Sequence, residues 1–138
     1  MENSPVRILL VEDFEPFRSL IRILLEGKPS LQIIAEIADG QQAVQKAAEL
    51  KPTLILLDIG LPSLNGLAAA RLIRTLSPDS KILFVTQECS LEVAQEALSL
   101  GAAGYVLKTR VASDLLPAVE AILLGGTFFD RTGGTPST

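Results

Sequence analysis

Apolar residues along this chain fall into two alternating patterns. Short runs of nearly unbroken aliphatic residues occur at residues 6–11, 31–37, 54–57, 81–85 and 104–107, and such runs are typical of strands buried on both faces of a parallel sheet. Each run is followed by a segment whose apolar residues recur every three or four positions, which indicates an amphipathic helix. Strands that alternate with helices in this way predict an α/β domain with a doubly wound, five-stranded parallel sheet.

Polar residues mark where the predicted helices begin. The candidate N-caps of the second, third and fourth helices are Asp39, Asn65 and Ser90. The last helix is predicted to begin at Ser113 or Asp114, which places Pro117 in its first turn. The inward faces predicted for the third and fourth helices include four leucines, Leu72, Leu76, Leu91 and Leu98.

Composition narrows the functional classes. The chain has 138 residues, enough for one domain with a substantial core, and its net charge of −4 argues against binding nucleic acid by itself. It contains no histidine, which excludes histidine-based acid–base catalysis and histidine-ligated zinc. The single cysteine, Cys89, is expected to be inert and fits a reducing cytoplasm. No signal peptide or membrane-spanning run is evident, so we expect a cytoplasmic protein without membrane contact.

Polar residues with complementary chemistry follow four of the predicted strands. Glu12 and Asp13 come after the first strand, Asp58 after the third, Thr86 after the fourth and Lys108 after the fifth. Carboxyl ends of parallel strands share one edge of the sheet, so these side chains are predicted to meet there. Crowded carboxylates favour a hard cation such as Mg²⁺, and a hydroxyl and an ammonium suit a phosphoryl group. The set therefore indicates phosphoryl transfer to a carboxylate.

Each of these residues also has an ordinary structural explanation. The acidic pair can simply favour the N-terminus of a helix, and Asp58 can cap a strand. Thr86 alone is typical of a turn, and Lys108 alone is typical of a solvated surface. Only the joint placement of all of them at strand ends favours a functional site.

Several motifs closely resemble the receiver domains of bacterial two-component response regulators, the CheY-like family. These are the acidic pair after the first strand, LLDIGLP, LNGL, FVT and GAAGYVLK, and the resemblance covers about residues 6–125. It implies a flavodoxin-like strand order 2-1-3-4-5 with five helices, a receiver domain at 1–125 and a linker or tail at 126–138. Thr109 after Lys108 and the glycines at 125 and 126 resemble the NarL/FixJ-type, LuxR-type subgroup.

The resemblance also implies roles for the candidate residues. Asp58 would be the phosphoacceptor, Thr86 the switch hydroxyl, Lys108 its charge partner and Tyr105 an aromatic that changes rotamer. The implied magnesium ligands are Glu12, Asp13, Asp58 and the main-chain carbonyl of Gly60. Such a domain catalyses only its own phosphorylation and dephosphorylation. The implied partners are a sensor histidine kinase, a second copy in a homodimer, and DNA only through an output domain absent from these residues.

Two residues depart from the family pattern, and three other functions are alternatives. Gln87 follows the switch hydroxyl where the family generally has a small residue, and Gly60 offers a carbonyl but no side chain. A flavodoxin-like cofactor binder conflicts with the acidic pair, and a haloacid-dehalogenase-type phosphatase conflicts with Gly60 at its general-acid position. A phosphorylation-independent interaction domain stays open.

Overall fold

The computed structural model describes residues 5–87 and 90–129, and in them five α-helices cover one parallel sheet of six strands. In chain order the elements are β1 (Val6–Val11), α1 (Glu15–Glu26), β2 (Leu31–Ile37), α2 (Gly40–Leu50), β3 (Leu54–Leu57), α3 (Gly66–Leu76), β4 (Lys81–Thr86), α4 (Leu91–Ser99), β5 (Gly104–Leu107), a 3₁₀ turn (Lys108–Arg110), α5 (Val111–Leu123) and β6 (Phe128–Phe129). The sheet order is β2-β1-β3-β4-β5-β6, so the predicted flavodoxin-like order of the first five strands is confirmed. Cys89 lies outside the described residues.

The central strands are buried on both faces. One face of β1 and β3 packs against α2, α3 and α4 through Leu9, Val11, Ile55 and Leu57. The opposite face packs against α1 and α5 through Ile8, Leu10, Leu54 and Leu56. Neither face leaves room for a polar side chain within these strands, so polar chemistry is confined to the residues that follow them.

The predicted N-caps of three helices are confirmed. Asp39 Oδ1 accepts a hydrogen bond from Gln42 N at 2.8 Å, and Asn65 Oδ1 accepts one from Ala68 N at 3.0 Å. Ser90 caps α4 in the same way. Each of these side chains accepts a hydrogen bond from a main-chain N–H of the first turn, which has no partner within the helix. This explains why all three helices begin where the sequence predicts.

The predicted start of the last helix is wrong. Neither Ser113 nor Asp114 caps α5, which begins at Val111 directly after the 3₁₀ turn. Pro117 consequently lies inside the helix and not in its first turn. The reason is packing, since Val111 and Leu115 are one turn apart and both buried, so the apolar face of the helix starts before Ser113.

The predicted inward orientation of four leucines is also wrong. The exposed fraction of these leucines ranges from 43% to 70%; they are Leu72, Leu76, Leu91 and Leu98. Ala69, Ile73 and Ala97, which lie on the same predicted faces, are buried as predicted, so the face that each helix turns to the core is narrower than predicted. No helix in the described ranges combines the length and the apolar character that crossing a membrane requires.

The sheet has one strand more than predicted. β6 pairs with β5, so residues 128 and 129 form a strand inside the segment predicted to be linker, while the domain boundary at residue 125 stays a prediction. Phe128 N donates to Ala103 O at 3.0 Å. Gly104 makes the pairing possible, because any β-carbon there would collide with the main chain of Phe128. Two residues are too few to produce a recognisable alternation, which is why the pattern did not reveal this strand.

Candidate functional site

The main chain holds two of the candidate carboxylates in place. Asp58 N donates to Val11 O at 3.0 Å, and Glu12 N donates to Ile37 O at 2.9 Å. Both bonds continue the sheet ladder one residue past the strands, so Glu12 and Asp58 are fixed by the rigid part of the fold. The register that pairs Val11 with Leu57 places the two carboxylates side by side.

A cleft of about 440 Å³ opens at this edge of the sheet. Its lining contains seven of the eight residues singled out from the sequence together with Phe14 and Ile59, namely Glu12, Asp13, Phe14, Asp58, Ile59, Gly60, Thr86, Gln87 and Lys108. Asp58 and Thr86 are each 5% exposed, so they form the floor of the cleft, whereas Asp13 and Gln87 are exposed at its mouth. The roles of these residues stay predictions.

Three carboxylates in the cleft are close enough to share one cation. One oxygen each from Glu12, Asp13 and Asp58 lies within 4.8 Å of the others. Glu12 Oε1 is buried, and the ammonium of Lys108 lies 2.8 Å from it. Three carboxylates with a single ammonium beside them leave negative charge that a metal cation would neutralise. An all-oxygen set of this kind fits Mg²⁺, which takes one or two carboxylates and retains water.

Lys108 provides the positive charge of the cleft. Its Nζ lies 2.8 Å from Glu12 Oε1 and 3.3 Å from Asp58 Oδ2. Burial lowers the pKa of Lys108, but the two carboxylates outweigh burial and raise that pKa above its ordinary value. Burial has the opposite effect on an acid and raises the pKa of Glu12, and the nearby Lys108 ammonium and Phe14 N–H oppose this rise only in part. The site therefore holds an ammonium that stays charged at neutral pH beside Asp58.

The loop after β3 fixes the orientation of the Asp58 side chain. Gly60 N donates to Asp58 Oδ1 at 3.2 Å, while Lys108 faces Oδ2. Gly66 ties the end of this loop back to its start, because the Gly66 N–H donates a hydrogen bond to Ile59 O at 2.7 Å. A β-carbon on Gly66 would collide with the main-chain carbonyl of Asp58. The orientation of Asp58 thus depends on a glycine eight residues further along the chain.

Tyr105 is the one candidate residue that does not line the cleft. It is 4% exposed and lies in the core on the side of α2, α3 and α4. Its ring meets the ring of Phe129 edge to face, with centroids 5.5 Å apart and planes at 72°. Tyr105 therefore connects β5, the strand directly before Lys108, to β6.

Sequence reasoning missed three residues in and just before α1 that support the site. Arg18 Nη1 donates to Glu12 O at 2.6 Å, and its Nε lies 3.4 Å from Glu36 Oε1. The ring of Phe17 lies under the Lys108 ammonium. Phe14 is 61% exposed at the rim of the cleft. The available signal was the position of all three within five residues of the acidic pair, which places them at the same edge of the sheet.

Residues 8–120 match the family model described as the response regulator receiver domain. The chain is 30% identical over 93% of its length to transcriptional regulatory protein DegU of Brevibacillus brevis. It is 35% identical over 88% of its length to transcriptional regulatory protein LnrK of Bacillus subtilis. These alignments cover 54% and 55% of the two relatives, so the chain spans about half the length of the curated relatives that it matches.

A solved structure shows the same fold at comparable identity. The crystal structure of a LuxR-family two-component response regulator from Aurantimonas sp. SI85-9A1 superposes with a TM-score of 0.86 and 34% identity. The superposition covers 94% of this chain and 91% of that one. The motif-based resemblance to receiver domains of the LuxR type is therefore confirmed.

Proposed function

Because this chain belongs to the family of response regulator receiver domains, we propose that Asp58 accepts a phosphoryl group in a Mg²⁺-dependent reaction. The observation that carries the proposal is the environment of the Asp58 carboxylate. It lies on the floor of the cleft beside two further acidic side chains, and the Lys108 ammonium is 3.3 Å from its Oδ2. The donor is the phosphohistidine of a sensor kinase, or a small phosphodonor in its place.

The residues of the cleft have different roles in the phosphoryl transfer. An oxygen of Asp58 attacks phosphorus, the bond from phosphorus to the donor breaks, and the leaving group departs with the electron pair. Glu12, Asp13, Asp58 and the carbonyl of Gly60 would hold Mg²⁺, which when bound neutralises charge on the phosphoryl oxygens. Lys108, whose Nζ lies 3.3 Å from Asp58 Oδ2, would balance charge on the same oxygens. The domain thereby catalyses its own phosphorylation and the later hydrolysis, and no other reaction.

Phosphorylation would be communicated by two residues beyond the carboxylates. We propose that the Thr86 hydroxyl is drawn to the phosphoryl group and that Tyr105 changes rotamer in response. Because Tyr105 is already buried against Phe129, its movement would act on that contact and on the face formed by α4 and β5. A local change of charge would in this way reach a surface used for dimerisation or output.

The proposed setting is a cytoplasmic signalling pathway that ends in transcription. The relatives DegU and LnrK are named transcriptional regulatory proteins and are about twice as long as the part that aligns. We propose that this receiver controls an output of the same kind, that any contact with DNA is made by an output domain, and that a homodimer is the active form.

Labelling of the wild-type protein tests the proposal. Acetyl phosphate with Mg²⁺ is expected to add one phosphoryl group, and peptide mass analysis is expected to locate it on Asp58. Omission of Mg²⁺, or its removal by a chelator, is expected to suppress the labelling. Phosphate on another residue, or labelling that ignores Mg²⁺, would refute the proposed chemistry.

We expect Asp13→Ala to weaken a roughly millimolar Mg²⁺ site, because open carboxylate sites that keep bound water hold this ion loosely. Loss of one of three acidic ligands should lower the affinity about tenfold, or ~1.4 kcal/mol. A Mg²⁺ titration followed by NMR shifts measures the effect. Asp79→Ala is the matched control, since Asp79 is an exposed aspartate before β4, at the opposite edge of the sheet. Equal affinities in the two variants would return the acidic pair to a helix-capping role.

We expect Gln87→Ala to shorten the lifetime of the aspartyl phosphate and to accelerate labelling by acetyl phosphate, each by ~3- to 10-fold. Gln87 is exposed at the mouth of the cleft, where a donor and an attacking water must approach Asp58 in line. Both rates are measured beside Gln95→Ala, which removes an exposed amide from α4. Faster hydrolysis with unchanged labelling would leave only a hydrogen bond from Gln87 to the phosphoryl group, and two unchanged rates would show that Gln87 has no part in the reaction.

A further inference from the structure

The ammonium of Lys108 has an aromatic partner that none of the motifs indicated. Its Nζ lies 4.8 Å from the centroid of the Phe17 ring, within the range of a cation–π interaction. The Lys108 side chain is only 16% exposed, so water screens this contact little. The ammonium therefore has three close partners, namely the carboxylates of Glu12 and Asp58 and the face of Phe17.

These three partners differ in what the reaction asks of them. Glu12 and Asp58 belong to the proposed metal set, and Asp58 also accepts the phosphoryl group. Both carboxylates therefore have other interactions during the transfer, with the metal or with phosphorus, that compete with Lys108. The ring of Phe17 has no such competing role. A lysine side chain has four rotatable bonds and searches many conformers when nothing holds its end. The ring is the partner that can hold the ammonium throughout.

The position of the ring is tied to the same loop as the carboxylates. Phe17 N donates to Phe14 O at 3.0 Å in the first turn of α1, and Phe14 N in turn donates to Glu12 Oε2 at 3.0 Å. The Phe17 side chain is half-buried and packs against the core between the sheet, α1 and α5. The ring is thus fixed relative to Glu12 on one side and to the core on the other.

We propose that Phe17 is a positioning residue for phosphoryl transfer, whose ring face holds the Lys108 ammonium in front of Asp58. This proposal rests on the proposed function, because it assigns Lys108 the task of balancing charge on the phosphoryl group. It adds to that function a residue of α1 that acts through Lys108 and is a ligand of neither the metal nor the phosphoryl group.

Two substitutions distinguish the contribution of the aromatic face of Phe17 from that of its apolar packing. Phe17→Leu keeps an apolar side chain in the core but removes the aromatic face, whereas Phe17→Tyr keeps both. Phe128→Leu is the matched control, because Phe128 is also half-buried against the same core but lies in β6. Thermal unfolding of every variant shows that it is folded before rates are compared.

The first measurement is the NMR shift of the Lys108 side-chain methylene next to the ammonium. In the wild type we expect an upfield ring-current shift, which Phe17→Tyr retains and Phe17→Leu loses. The second is the rate of labelling by acetyl phosphate with saturating Mg²⁺. We expect Phe17→Leu to slow it about 3- to 5-fold, in keeping with a partly desolvated cation–π contact, while Phe17→Tyr and Phe128→Leu stay near the wild-type rate.

The outcomes distinguish this proposal from the proposed function. A wild-type protein that takes up no phosphate would overturn the proposed function itself. Normal labelling of the wild type together with an unshifted Lys108 methylene, or with equal rates in Phe17→Leu and the wild type, would overturn only the role of Phe17. Equal slowing of Phe17→Leu and Phe17→Tyr would also overturn it, because packing and not the ring face would then be responsible.

Discussion

Asp58→Asn is expected to reduce phosphate incorporation from one group per chain to none. Asparagine has nearly the same shape, and its amide oxygen can still accept the hydrogen bond that Gly60 N donates to Asp58 Oδ1. What the substitution removes is the anionic oxygen that attacks phosphorus, and a neutral amide oxygen is a poor nucleophile. Intact-protein mass spectrometry after incubation with acetyl phosphate and Mg²⁺ measures the incorporation directly.

The control for this experiment is Asp79→Asn. It makes the same chemical change on an exposed aspartate that precedes β4, at the edge of the sheet remote from the cleft, and it should label like the wild type. Because both variants lose one negative charge, a difference between them reports position and not net charge. Undiminished labelling of Asp58→Asn would mean that another residue is the acceptor.

Gly66→Ala is expected to lower the free energy of unfolding by about 1–3 kcal/mol, the usual cost of forcing an extra methyl group into a packed site. Gly66 is buried, and a β-carbon would lie 2.7 Å from Ile59 Cα as well as against the Asp58 carbonyl. Both neighbours are main chain and cannot move aside as a flexible side chain would. The loop after β3 must therefore shift, and labelling of Asp58 should slow at the same time.

Urea unfolding compares Gly66→Ala with Gly27→Ala. Gly27 follows α1 with ordinary right-handed dihedral angles, and a β-carbon there meets nothing within 4 Å. Its replacement should change stability by less than about 0.5 kcal/mol, or stabilise the protein slightly by restricting the unfolded chain. If Gly66→Ala unfolded at the same urea concentration as Gly27→Ala, the loop would be more compliant than its main-chain contacts indicate.

Much of the fold could be predicted because its strands are short and uniformly apolar. A run such as residues 54–57, in a chain where such runs alternate with helical patterns, is typical of a strand covered on both faces, and the first polar residue after it falls at the sheet edge. The side-by-side placement of Asp58 and Glu12 then follows from parallel pairing. No knowledge of side-chain contacts is needed for that inference.

The features that escaped prediction depend on contacts between distant parts of the chain. Leu91 and Leu98 are apolar at helical spacing, yet α4 buries Ala97 and leaves both leucines exposed, and spacing alone cannot decide how wide the buried face of a helix is. The need for glycine at residue 66 arises from the main chain of Asp58, and the contact between the Phe17 ring and the Lys108 ammonium joins two elements that are distant in the sequence. Pairwise approaches of this kind leave no periodic signal.

The short strand β6 also bears on how this domain behaves when the chain is cut in front of this strand. Phe128 N satisfies Ala103 O, and Phe129 covers Tyr105, so β6 shields the outer edge of β5. A chain cut at residue 126 would leave that edge with unpaired amide and carbonyl groups beside exposed apolar surface, a template to which another molecule can add its own strand. Concentrated solutions of such a fragment would therefore self-associate, whereas a fragment that keeps residues 128 and 129 would resist this.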